Sequence, residues 1–215
     1  MLWGERRPHQ PETVTIAAAG GPMKRIEAAL LPIEAPVLPQ GRKELRIVTP
    51  GQLRMVANSL KDDNAWLVVC MNRDETDLPC YPVATRVRVV DFHQLDDDSL
   101  SIVVEGIRKV RISDVWAATD GVWMGKVLPL PNWPPRPLAD NYAMLGEALK
   151  RLYDSQPALG ELYPQLALDD ACWVSQRWLE VLPLIEKDKQ MLMEQADCCK
   201  AMQYVMSLIR SHQTE

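Results

Sequence analysis

Long apolar runs are missing from this chain of 215 residues: the longest clean one, Ala65–Met71, falls well short of the roughly 18 residues that a membrane helix requires. Histidine is scarce. Only His9, His93 and His212 occur, two of them near the ends, so no H-E-x-x-H motif exists and a Ser-His or Cys-His catalytic pair has no support. Glycine-rich phosphate loops of the G-x-x-x-x-G-K-[ST] or G-x-G-x-x-G type are also absent, which removes the sequence case for nucleotide hydrolysis or dinucleotide binding. The five cysteines, at 70, 80, 172, 198 and 199, contain no C-x-x-C pair. That pattern argues against a disulfide framework and a zinc ribbon and fits a reducing compartment. Residues 9–22 offer no apolar core for a signal peptide, so the expected location is cytoplasmic.

A large charge excess is lacking too. With 24 Lys+Arg against 29 Asp+Glu the formal charge is −5, and residues 23–131 hold 14 basic and 15 acidic side chains. Neither half has the basic surplus of a nucleic-acid binder. The apolar share of 47% with 25% charged residues is that of a globular protein with a packed core.

Residues 1–22 are rich in Pro, Gly and Ala without periodicity and are expected to form a disordered tail. Pro32, Pro36 and Pro39 confine the stretch after Leu30 to extended edge or loop structure. Leu45–Val48 is a short strand. Thr49 followed by Pro50 reads as an N-cap with proline in the first turn, and Leu53, Val56, Ala57 and Leu60 recur at helical spacing, which predicts a helix near 50–60. Ala65–Met71 has the length and valine content of a strand buried on both faces. Alternation over 85–90 and 100–104 around Asp96-Asp97-Asp98-Ser99 predicts a hairpin, Gly106 a bulge or bend, and Asp120-Gly121 a turn into a strand over 122–128. The aspartate cluster lacks the remainder of a calcium loop and reads as a solvated turn. Cys198-Cys199 reads as buried or half-buried thiols, since adjacent helical residues diverge by about 100°. No metal site and no cofactor are expected.

The periodicity switches after Leu128. Prolines at 129, 131, 134, 135 and 137 make a stiff extended crossover over 129–137. Beyond it Tyr142, Leu145, Leu149 and Leu152, then Val174, Trp178 and Val181, then Met202, Val205, Met206 and Ile209 follow helical spacing. Asp169 or Asp170 is the expected N-cap of the second of these helices, and a shorter helix is expected between Glu186 and Ala196. The division expected is thus 1–22 tail, 23–128 β-rich, 129–137 crossover and 138–215 helical.

Two sets of residues stand out as binding candidates. Arg86 and Arg88 share a strand face and Arg108 and Arg111 lie on a neighbouring strand, a possible basic face for RNA, though aromatic platforms beside it are few. Seven tryptophans accompany a single phenylalanine. Most fall in regular elements as core, whereas Trp133 sits in the crossover, where it either pins the linker or stands exposed as a contact for an extended peptide.

Four segments, LLPIEAPVLPQG (30–41), LRIVTPGQLRMV (45–56), DSLSIVVEGIRKVRI (98–112) and LEVLPLIEKDKQMLMEQAD (179–197), together resemble the N-terminal domain of the Lon protease family in a stand-alone form. Gly106, Arg108 and Arg111 match the family's strand-Gly-Arg pattern. Leu182, Pro183, Leu184, Lys189, Gln190, Leu192 and Glu194 match its Leu-Pro-Leu, Lys-Gln and Leu-x-Glu pattern. Val48–Gln52 departs from the aromatic-rich sequence common there, and Ala84-Thr85 from a Gly-Thr. The resemblance implies an α+β fold: an N-terminal PUA-like antiparallel β pseudo-barrel with a short helix, followed by a C-terminal α-helical bundle. It implies a non-catalytic module for unfolded or extended polypeptide, working with a protease or chaperone system, because the chain ends at Glu215 without the family's ATPase and Ser-Lys peptidase parts. A groove between the β part and the helices is the expected site, with Arg46, Tyr81 and Trp133 as candidate contacts. The alternatives are an RNA-binding PUA-like module using Arg86, Arg88, Arg108 and Arg111, and a small-molecule sensor.

Overall fold

The computed structural model describes residues 25–73, 79–97 and 99–212; the expected tail and Asp98 of the aspartate turn lie outside them. Six strands come first: β1 (Ile26–Ile33), β2 (Arg42–Ile47), β3 (Trp66–Met71), β4 (Val83–Gln94), β5 (Leu100–Ala117) and β6 (Trp123–Pro129), with helix α1 (Pro50–Lys61) between β2 and β3. The helices α2 (Ala143–Ser155), α3 (Pro157–Gly160), α4 (Ala171–Val181), α5 (Glu186–Met193) and α6 (Cys199–His212) follow. The α+β architecture matches the expectation, and α3 is the one helix that the periodicity did not reveal.

Local signals explain most of these elements. Thr49 caps α1 through a reciprocal arrangement: its hydroxyl accepts from Gln52 N–H at 3.2 Å, and Gln52 Oε1 accepts from Thr49 N–H at 3.3 Å, satisfying two otherwise orphaned donors. Asp170 caps α4, its carboxylate accepting from Cys172 N–H at 2.8 Å. Gly121 takes a φ of +80° in the turn before β6, a conformation glycine adopts without steric cost.

The sheet runs in the order β2-β5-β4-β3-β1-β6, and β6 pairs with β5 to close a ring. Residues that face one another around this ring, Leu30 and Val68, Ala84 and Val110, Ile112 and Val127, share one core cluster inside it. Alternate residues, Leu31, Leu67, Val69 and Val87, belong to a second cluster with Leu45 and Ile47 of β2 and Met55 and Val56 of α1. Strand β3 therefore feeds both clusters, which is why its sequence is a continuous apolar run.

Two features differ from the sequence expectation. One strand pair, β1 with β3, is parallel, because β2 and α1 intervene and carry the chain back across the sheet. Moreover β1 lies inside the sheet, between β3 and β6, despite Pro32. Ile33 directs its carbonyl to Asn72 on the β3 side, so Pro32 faces the β6 side, where pairing has already ended at Leu30–Trp123. Its missing N–H withdraws no bond.

Gly106 is the handover point of the long strand β5. Before it β5 pairs with β2, after it with β6, and the intervening turn at 38–41 fills the gap: Gln40 N–H donates to Gly106 C=O at 2.7 Å and Gly106 N–H to Gly41 C=O at 2.9 Å. A Cβ on Gly106 would stand 2.1 Å from the Leu38 carbonyl oxygen. Next to it the pairing with β4 slips, Val87 facing Gly106 and Arg86 facing Arg108, so the expected bulge is present. A third core cluster, made mainly of α2, α4 and α6, takes in Leu38, Val83 and Trp133 from outside the helices.

Candidate functional site

The helices meet the barrel along a sealed seam and, beside it, an open cleft. At the centre of the seam Arg177 of α4 is fully buried. Its Nε donates to Glu180 Oε2 at 2.7 Å, and its Nη2 to Glu180 Oε1 at 2.9 Å and to the Pro39 carbonyl at 3.1 Å. Glu180 in turn accepts from Leu38 N–H at 2.6 Å. Burial pushes the Glu180 carboxyl up even though the guanidinium beside it favours the charge, as expected where desolvation competes with an ion pair. Trp173 and Tyr163 flank the guanidinium at 5.4 and 6.0 Å.

Helix α5 completes the seam. Gln190 Oε1 accepts from Val83 N–H at 2.9 Å and its Nε2 donates to Val83 C=O at 2.8 Å, so one amide satisfies both backbone groups at the start of β4. Lys109 of β5 is 3% exposed. Its ammonium donates to the carbonyls of Met193 and Gln195 at 3.0 and 3.2 Å, a cation at the negative end of a helix. It also lies 5.0 Å from the centre of the Trp133 ring. Desolvation lowers its pKa to about 8. The Lys-Gln and Leu-x-Glu stretch thus docks α5: Gln190 bonds β4, Leu192 is buried, and Glu194 pairs with Arg111 at 3.2 Å.

Beside the seam lies a cleft of about 440 Å³ between β2 and the helices, walled by Arg42, Lys43 and Glu44 on one side and by Tyr153, Leu159, Leu162, Tyr163 and Glu180 on the other. Tyr163 stacks on Tyr153 with ring centres 5.5 Å apart, and both meet the edge of Trp173. Tyr163 accepts from Arg42 N–H at 2.9 Å through its hydroxyl, while Arg42 reaches Leu162 C=O at 3.0 Å and Glu105 at 2.7 Å. Burial raises the pKa of both tyrosines, which keeps the phenols neutral. The cleft therefore offers neutral hydrogen-bonding groups, apolar walls and the charges of Lys43 and Glu44, the Glu180 carboxylate on its wall being taken up by Arg177 and Leu38 N–H. A smaller cleft of about 170 Å³ lies between α1, β1 and β6, walled by Met55, Trp66, Val122 and Met124, with Arg54 and Asp120 paired at 3.0 Å on its rim.

The structure disperses the three candidate contacts. Arg46 is exposed on β2, bonded to Ser99 Oγ at 3.0 Å and paired with Asp97. Trp133 is 5% exposed and its Nε1 donates to Gln195 C=O at 2.7 Å, so of its two readings the packing is that of a pin. Arg46 stands opposite Ser101 of β5, whereas Trp133 lies over Lys109, about 26 Å further along the strand at the usual rise per residue. Tyr81 is half-buried near the entrance of β4, with Arg73 at 5.5 Å from its ring.

The four arginines do not form one face either. Arg86 and Arg108 face each other across β4 and β5, but Arg111, three residues beyond Arg108, lies on the opposite face of the strand. Arg86 covers the Trp66 ring at 4.2 Å and Arg88 pairs with Glu105 at 2.7 Å. Sequence reasoning missed Arg42, Tyr153, Tyr163, Arg177 and Glu180 as participants. The i, i+3 spacing of Arg177 and Glu180 within a buried helix was the available signal.

No group of metal ligands is assembled among the described residues. No helix there is long and apolar enough to cross a membrane.

A six-stranded sheet, five strands of it closed into a ring with β2 on its edge, and a helical part docked on it through α5 make an α+β fold that Lon N-terminal domains share. The family model described as the ATP-dependent protease La (LON) substrate-binding domain matches residues 27–211, and the chain belongs to that family. No ATPase or protease domain is matched. The chain is similar in fold to the Lon N-terminal domain protein from Xanthomonas campestris, with 23% identity, a TM-score of 0.66 and coverage of 84% of this chain and 97% of that one. It is also similar to the N-terminal domain of Lon protease from the Mycobacterium avium complex, with 12% identity, a TM-score of 0.57 and coverage of 86% and 97%. No protein of curated function matches the sequence.

Proposed function

We propose that this chain is a non-catalytic, cytoplasmic polypeptide-binding module that holds extended or partly unfolded segments, acting as an adaptor for a separate protease or chaperone system. The two walls of its site are the β-rich part over 23–128, a PUA-like barrel, and the helical part over 138–215, joined by the crossover at 129–137. The observation that carries this reading is the open cleft between β2 and the helices, where apolar walls adjoin neutral phenols and unsealed strand backbone. Arg46 lies at the outer end of that wall. Tyr81 and Trp133 support the site from a distance, through the β4 entrance and the seam.

Binding of the purified chain to an array of extended peptides tests the proposal, with single-stranded RNA as competitor at low and high salt. Saturable peptide binding that RNA does not displace is the expected result. Ala158 is exposed on the cleft wall, so Ala158→Trp is expected to fill the cleft and weaken binding about ten-fold at unchanged melting temperature. Absence of peptide binding sinks the reading. RNA binding that falls steeply with salt would move the function to Arg86 and Arg108.

A further inference from the structure

Among the described residues strand β2 is the free edge of the sheet: it pairs there with β5 alone, whereas the other strands belong to the closed ring. The direction of its backbone groups follows from Tyr163, whose hydroxyl accepts from Arg42 N–H at 2.9 Å and donates to Arg42 C=O at 3.4 Å. The preceding Gly41 directs its C=O to Gly106 N–H of β5 at 2.9 Å, so Arg42 points both backbone groups to the other side, outward. In an extended strand the N–H and C=O of one residue point the same way and those of its neighbours the other way. Glu44 and Arg46 therefore point outward too, while Lys43, Leu45 and Ile47 bond β5. Among the described residues the N–H and C=O of Glu44 and Arg46 find no hydrogen-bond partner. The open stretch is bounded, by Tyr163 at one end and at the other by Val48, whose N–H donates to Gln52 Oε1 at 3.1 Å.

Edges of this kind are usually guarded by charged side chains, prolines or bulges. Here β2 has no proline and pairs with β5 without a slip. Three of its four charges are drawn back across the sheet, Arg42 onto Glu105, Arg46 onto Ser99 and Asp97, and Glu44 onto Ser101, and the fourth, Lys43, acts on Glu180 across the cleft. The backbone is left uncovered and the cleft continues from it, since Lys43 and Glu44 line that cleft opposite Leu159 and Leu162.

Resting on the polypeptide-binding reading, we propose that an extended polypeptide segment binds by strand addition, hydrogen-bonding the N–H and C=O of Glu44 and Arg46, with its flank in the cleft. The chemistry matches a backbone: two outward residues supply two donors and two acceptors at the spacing of alternate residues in a strand. Charge decides between occupants. With Arg42, Lys43 and Arg46 against Glu44 alone, two copies of β2 laid side by side would set cation against cation. Three cations against one carboxylate leave the strand net positive, so a segment of apolar residues with an acidic side chain fits where a second copy does not.

The test uses a short fluorescent peptide of alternating valine and serine with a central aspartate, and two N-methylated forms, one blocked at odd and the other at even positions. Strand addition engages one set of N–H groups only. One form is expected to keep the parent affinity within about two-fold and the other to lose about ten-fold or more. Arg46→Pro, which removes an outward N–H and no ladder bond, is expected to cost about ten-fold, whereas Arg46→Ala, which keeps that N–H and removes only the side-chain charge, is expected to cost about two- to three-fold. If Arg46→Pro does not fold, the methylated pair still decides. Equal binding of both methylated forms overturns strand addition and leaves polypeptide binding standing, whereas failure of every peptide removes both. A dimer in solution that Arg46→Pro dissolves gives the edge to a second copy and also overturns the proposal.

Discussion

The seam and the cleft use the same materials in opposite ways. Both join strand backbone to helix side chains, and both contain a tyrosine or tryptophan beside a charged group. Along the seam the exposed strand groups are taken up: Val83 by Gln190, Leu38 by Glu180, and the end of α5 by Lys109. Along the cleft the Tyr163 hydroxyl takes up the Arg42 backbone and the Arg42 guanidinium reaches Leu162 C=O, whereas among the described residues the next outward backbone groups of β2 are left open. A polar group hidden from water costs free energy unless paired, so the buried contact line had to be completed, whereas the exposed one remained available for a ligand.

Substitutions separate the two regions by size of effect. Arg177→Ala leaves Glu180 buried without its partner and is expected to lower stability by about 3–5 kcal/mol in urea unfolding. A loss below about 1 kcal/mol would mean that the seam is not held by this pair. Trp133→Ala is expected to cost about 3 kcal/mol, with any loss of peptide affinity following the loss of folded protein. Gln190→Leu strands both backbone groups of Val83 and is expected to cost about 2 kcal/mol, measured by the shift of the unfolding midpoint. At the cleft, Arg46→Ala removes an exposed ion pair and is expected to change stability by less than about 0.5 kcal/mol.

The seam also has a pH signature. Lys109 titrates near 8 in the folded chain against 10.5 in water. Below pH 8 both states carry the proton, and the fold bears the full cost of burying the charge. Between pH 8 and 10.5 the unfolded chain binds that proton and the folded chain does not, so this residue's contribution makes stability rise with pH in that window. Relative to Lys109→Met, the wild-type chain is expected to gain stability from pH 8 to 10.5; parallel behaviour of the two would show that the ammonium is not desolvated.

Much of the fold was legible in the sequence because its signals are local. Thr49-Pro50 placed α1, the unbroken run at Ala65–Met71 placed a strand buried on both faces, and the proline cluster marked the change from strands to helices. The parallel pairing of β1 was not legible, since nothing near Pro32 states that β6 ends beside it. The site was less legible. Trp133 stood out by its setting in the crossover, but its burial comes from Lys109 and Gln195, in segments far from it in the chain. Tyr163 and Arg177 carried no local mark.

The sequence by itself determined the periodicities, the caps, the two-part arrangement and the family, because each is written in residues a few positions apart or in a contiguous motif. The tertiary structure alone decided which polar groups are sealed and which remain open. Glu180 reaches the Leu38 N–H across 142 residues, and Tyr163 the Arg42 N–H across 121. Satisfaction of a hydrogen bond depends on the group that folding brings to within about 3 Å, and no local pattern in the chain specifies that partner.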